Sequence, residues 1–107
     1  MMRPVLNGDV TSAARALLYV PAKQRPTLCR QIFEQAEVAD RHVRRTRRSH
    51  QFGNGSLMAA ARRYPLADEP TFDCADYCRC FSTVLTMLHF AKVGGIDDFG
   101  SGPTVWQ

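Results

Sequence analysis

The sequence predicts an all-α fold, a compact bundle of four helices with an irregular C-terminal tail. Three observations carry that prediction. Apolar residues recur at helical spacing in four separate stretches. Those stretches are rich in alanine, leucine, arginine and glutamine and sparse in valine, isoleucine and threonine, which favours helix over sheet. Stop signals at Pro21, Pro65 and Gly94-Gly95 separate or end them. A chain of 107 residues has room for one modest core. The expected division is a helical domain over 1–95 and an irregular tail over 96–107.

The first helix is expected from Asp9 to Tyr19. Asp9 is the candidate N-cap, because its carboxylate can accept the free backbone N–H groups of the first turn. Val10, Ala13, Ala14, Leu17 and Leu18 then share a face, and Pro21 stops the helix. The second begins between Ala22 and Pro26, where proline is tolerated in the opening turn. Leu28, Ile32, Ala36, Ala39 and Val43 make its seam, widened by Phe33, to about Arg45. Glu37 with Arg41 and Asp40 with Arg44 are i, i+4 pairs in the favourable acid-first order.

Residues 46–54 form a polar connection. Ser56 or Asn54 caps a short third helix carrying Leu57, Met58, Ala60, Ala61 and Tyr64, with Arg62 and Arg63 suited to its carbonyl end. Pro65 to Thr71 reads as a loop. The fourth helix starts after Asp73 as N-cap and shows Tyr77, Phe81, Val84, Leu85 and Leu88 as its apolar face. Helices two and four are expected to form the main packing pair. Phe99 and Trp106 in the tail could dock on the body or on a partner.

No secretion signal is expected, since polar residues and glycine interrupt Met1 to Gly8 before an apolar run forms. No stretch is long and apolar enough to span a bilayer. A soluble cytoplasmic protein is the expectation, with Cys29, Cys74, Cys78 and Cys80 reduced.

The dominant chemical signal is basic. Arg41, Arg44, Arg45 and Arg48 recur at i, i+3, i+4 and i+7, with Arg47 and His50 beside them. On a helix that spacing lines up one positively charged face. The net charge is +4, yet residues 41–48 carry five arginines and no acid, so the rest of the chain sums to −1. Exposed arginine suits carboxylate or phosphate through forked hydrogen bonds. The competing reading is a solvated face whose charges pair locally or complement the helix C-terminus.

Gly53-Asn54-Gly55-Ser56 is a possible anion site, because a helix start presents free N–H groups. The motif lacks the lysine and spacing of a phosphate-binding Walker loop, and a turn plus N-cap explains it as well. The cysteines lack paired metal-site spacing, so no metal and no cofactor are expected. His42, His50 and His89 are scattered and no nucleophile motif is present, so no catalytic residue is assigned.

The chain resembles a family of small uncharacterised helical proteins from alphaproteobacteria. The resemblance rests on Met2-Arg3-Pro4-Val5-Leu6-Asn7-Gly8-Asp9-Val10, on Arg44-Arg45-Thr46 and on Gly53-Asn54-Gly55-Ser56-Leu57-Met58-Ala59-Ala60. It covers residues 2 to about 90 and leaves the tail outside. It implies a bacterial cytoplasmic helical protein with no assigned activity, and it supplies no catalytic residues.

The expected function is a non-enzymatic interaction or regulatory role. The basic face contacts an acidic protein surface or a nucleic-acid backbone, and exposed apolar residues add a homodimer or partner contact. A nucleic-acid backbone binder is one alternative, and a small enzyme with a site assembled only in the fold is another.

Overall fold

Helix-favouring composition and well-placed breakers produce four helices in a computed structural model that describes residues 4–94. They are α1 (Asn7–Tyr19), α2 (Arg25–Thr46), α3 (Leu57–Ala61) and α4 (Ala75–Gly94), and a 3-10 turn over Ala22–Gln24 joins the first two. No strand occurs among the described residues, only an isolated bridge between His50 and Gly53. The all-α bundle is as predicted. The expectations for the tail, including Phe99 and Trp106, lie outside the described residues.

The packing hub differs from the expected pair. It is α1, packed most extensively on α4 and next on α3, while α2 and α4 touch far less. The reason is side-chain size. Ala13, Ala14 and Ala16 are at most 1% exposed and lie around much of the helix circumference, so neighbours approach α1 from several sides. Val10 and Leu17 complete its buried apolar surface, and Asp9 and Ser12 are buried beside them. In α2, Leu28, Cys29, Ile32, Phe33, Ala36 and Ala39 are buried, whereas Val43 is only half-buried. Fully burying a side chain such as Phe33 or Ile32 contributes about 1.5–3 kcal/mol. The seam thins out at Val43, so the C-terminal end of α2 leaves the core and carries its arginines into solvent.

The fourth helix is rotated from its predicted face. Tyr77, Cys80, Val84 and Met87 are buried, Phe81 and Leu88 pack at the margin, and Leu85 is 45% exposed. Thiol and thioether side chains act here as apolar groups. The helix begins at Ala75, one residue later than capping by Asp73 would place it.

Two polar side chains link the helices. Asp9 is not the N-cap of α1 but sits in its first turn, 6% exposed. One oxygen accepts from the backbone N–H of Leu6 at 2.8 Å, and the other accepts from the N–H of Met58, also at 2.8 Å. One carboxylate thus satisfies the starts of α1 and α3 together. Arg25 does the corresponding work at the other end of α1. Its Nε donates to the carbonyls of Leu17 and Val20 at 2.9 and 3.2 Å, and its guanidinium meets Asp76 of α4 at 3.3 Å.

Candidate functional site

The predicted basic residues sit where α2 leaves the core. Arg41, Arg44 and Arg45 are on the helix, and all three are exposed. The helix ends at Thr46, so Arg48, the i+7 member of the stripe, lies beyond it. The Thr46 hydroxyl explains the stop. It donates to the His42 carbonyl at 2.9 Å and accepts from the N–H of Arg48 at 3.2 Å, replacing the next helical turn. Arg47 takes the left-handed C-cap conformation with φ 62°, and its N–H closes on Val43 O at 2.7 Å. Arg47 and Arg48 are exposed.

Arg44 is tied to Asp40 at 3.0 Å, and Asp40 is almost fully buried. That pair is one of the two anticipated in acid-first order. Arg41, Arg45, Arg47 and Arg48 show no side-chain ion pair or hydrogen bond among the described residues.

The connection after α2 folds back onto this surface. His50 and Gly53 exchange backbone hydrogen bonds of 2.9 and 2.8 Å across a tight turn, and His50 Nδ1 accepts from the N–H of Phe52 at 3.1 Å. The His50 ring meets His42 edge-on at 4.9 Å and Phe52 at 5.0 Å. The guanidinium of Arg63, just past α3, lies 4.7 Å above the Phe52 ring. The structure therefore brings His50 together with His42, Phe52 and Arg63, which sequence reasoning did not group. Contacts between residues 8 and 11 positions apart that bridge a helix end and an irregular turn leave no periodic trace. The sole local signal is the glycine pair that tightens the loop.

That pair is required by space and by backbone. Gly53 has φ +112°, and a Cβ there would fall 2.6 Å from Ala59 Cβ. Gly55 has φ +97°, and a Cβ there would fall 2.9 Å from Asp40 Cα. Asn54 Oδ1 accepts from the N–H of Ser56 at 3.0 Å, and Ser56 Oγ caps Ala59 N at 3.1 Å. Ser56 is therefore the N-cap, as one of the two expected candidates. Residues 53–56 do come together, but the helix they open has five residues. Its Met58 N–H already faces the Asp9 carboxylate. An external anion would compete with that group, so the basic character of the region lies in the side chains.

Elsewhere the chemistry is quiet. Burial pushes the Cys29 thiol up to about 12, with Cys80 as a lesser cause, so it is a protonated core thiol at neutral pH. Burial also raises Cys80 and the Tyr77 phenol. The four cysteines are free, and no cluster of three or more metal-binding side chains occurs among the described residues. A cavity of about 390 Å³ opens beside the 3-10 turn, with Lys23, Thr27, Gln31 and Tyr64 at its wall and Ala16 and Leu28 below. No histidine, carboxylate or thiol lines it.

The profile of the family described as Domain of unknown function (DUF7742) matches residues 3–88. The chain belongs to this family. The matched span takes in α1, α2, α3, their connections and most of α4, and so covers all the residues of this chain's basic surface. No curated protein and no solved structure matches the chain. Among the described residues, no helix is long and apolar enough to cross a membrane.

Proposed function

We propose that the protein is a non-enzymatic interaction module, bacterial and cytoplasmic, whose basic face engages an acidic protein surface. The observation that carries the reading is the cluster of exposed arginines at 41, 44, 45, 47 and 48, four of them lacking an internal partner among the described residues. A guanidinium is weakly hydrated for a cation and offers a planar fork that matches a carboxylate. An acidic partner would gain both steering and contact there. Exposed Phe72 and Leu85 on the α4 side add apolar area for the partner or for a second copy.

Nucleic acid is less well served by this geometry. Phe52 already carries Arg63 on its ring and His50 beside it, whereas sequence-tolerant strand binding needs aromatic faces free for bases. The short α3 ends before Arg62 and does not present a long helix to a groove.

The test is binding of fluorescent poly-L-glutamate to the wild type and to an Arg45/Arg47/Arg48→Glu variant at low and physiological salt. Arg44 is left in place because it holds buried Asp40. Salt-sensitive binding lost in the variant supports the reading. No binding at low salt sinks it.

A further inference from the structure

We infer that Arg63 is the geometric anchor of the basic face, a fork held in place by Phe52 to grip paired carboxylate oxygens of an acidic polypeptide. The inference rests on the interaction reading above. It adds a residue lying 15 positions after Arg48, just past α3, and it ascribes selectivity to shape rather than to charge.

Arg41, Arg45, Arg47 and Arg48 are long, flexible and exposed, and a ligand must immobilise each one that it uses, whereas Arg44 is held by Asp40. Arg63 differs. Its guanidinium sits 4.7 Å above Phe52, an attractive cation–π arrangement that restrains the head group before any ligand arrives. Phe52 is held in turn, because its N–H donates to His50 Nδ1 and its ring abuts His50. His50 rests on His42 of α2, so three contacts of 4.7, 5.0 and 4.9 Å join Arg63 to the arginine end of that helix. The loop between is pinned on both sides, by Gly53 against α3 and Gly55 against Asp40 of α2. Arg63 is exposed, and its guanidinium makes no hydrogen bond or ion pair among the described residues, so its side-chain N–H groups remain available. A pre-positioned fork loses less freedom on binding and reads two oxygens in one plane, which a lysine ammonium cannot do.

Charge-conserving substitutions separate shape from charge. Poly-L-glutamate binding would be measured by anisotropy and dissociation rate for the wild type, Arg63→Lys, Phe52→Leu and Arg62→Lys, with (dT)20 in parallel. Thermal melts would confirm folding, and Arg63→Lys leaves the half-buried Phe52 intact. The expected result is a roughly three- to tenfold loss in Arg63→Lys and Phe52→Leu, mainly as faster dissociation, and less than twofold in Arg62→Lys. Equal binding by wild type, Arg63→Lys and Phe52→Leu overturns the anchor while leaving the basic-face reading intact. Equal losses in Arg62→Lys and Arg63→Lys also overturn it, since the fork at 63 would then be nothing special. Wild type that ignores poly-L-glutamate at low salt defeats the parent reading itself. Tighter, Arg63-dependent binding of (dT)20 overturns the polypeptide assignment.

Discussion

Removing the Asp9 carboxylate should weaken the fold more than an ordinary surface change. Its two oxygens accept from Leu6 N and Met58 N at 2.8 Å each, and the residue is 6% exposed. A hydrogen bond to a charged group contributes about 1.5–3 kcal/mol, and Asp9→Ala leaves both donors without it. The expected loss is about 3–5 kcal/mol, a large share of the roughly 5–15 kcal/mol typical of a domain. Asp9→Asn offers one amide oxygen and turns an NH2 toward the other donor, so about half that loss is expected. Urea unfolding reads the effect. With a slope of about 1–3 kcal/mol per molar, the Asp9→Ala midpoint should fall by roughly 2 M. Native-state amide exchange at Met58 should accelerate with it. A midpoint within about 0.3 M of wild type would refute the claim that this carboxylate joins α1 to α3.

Arg47→Gly relieves a left-handed conformation that glycine adopts freely, so it should raise stability by about 0.5–1 kcal/mol, read as a higher Tm, while removing one positive charge. Gly55→Ala should do the reverse, losing about 2 kcal/mol or more, because φ +97° is strained for alanine and its Cβ would crowd Asp40 Cα. Alkaline pH should destabilise the protein. The native Cys29 thiol is pushed from 9.0 to about 12, so between those values the unfolded chain has released a proton that the native state keeps. This contribution is complete below pH 9 and falls through the window by at most about 1.4 kcal/mol per pH unit. Buried Cys80 and Tyr77, both raised, act in the same direction, and Cys29→Ala should flatten the slope in urea titrations from pH 8 to 11.

What was legible in the sequence was local. Apolar spacing and the breaks at Pro21 and Pro65 marked four helices, and charge at helical spacing marked the arginine stretch. Contacts that fix how the helices meet were not legible. Arg25 looks like any polar residue at a helix start, yet it closes α1 and reaches Asp76, 51 residues away. Asp9 reads as a cap from its type and place, but half of its work is done 49 residues away at Met58. Alanine at 13, 14 and 16 signals a helix, but nothing local says that neighbours will use those small faces from several sides. The basic residues were found by charge and spacing, whereas Arg63 read only as a cation at the end of the third helix and Phe52 carried no pattern, and their contact enters only through the loop's return.

That loop links stability to the proposed function. Asp9 fixes the start of α3 through Met58. Ala59 of α3 leaves room only for Gly53, and Gly53 is hydrogen-bonded to His50, whose ring carries Phe52. A buried carboxylate on α1 is thus connected, contact by contact, to the ring beneath Arg63. Charge on the face needs only the arginines, and a partly loosened loop would keep it. Shape needs the whole sequence of contacts. Asp9→Asn should therefore leave the salt dependence of poly-L-glutamate binding nearly unchanged, because that slope counts charges. Its affinity should fall toward that of Arg63→Lys, because the fork is no longer held. A change in salt slope with no change in the Arg63 contribution would separate the loop from α3 and break the chain of contacts at Gly53.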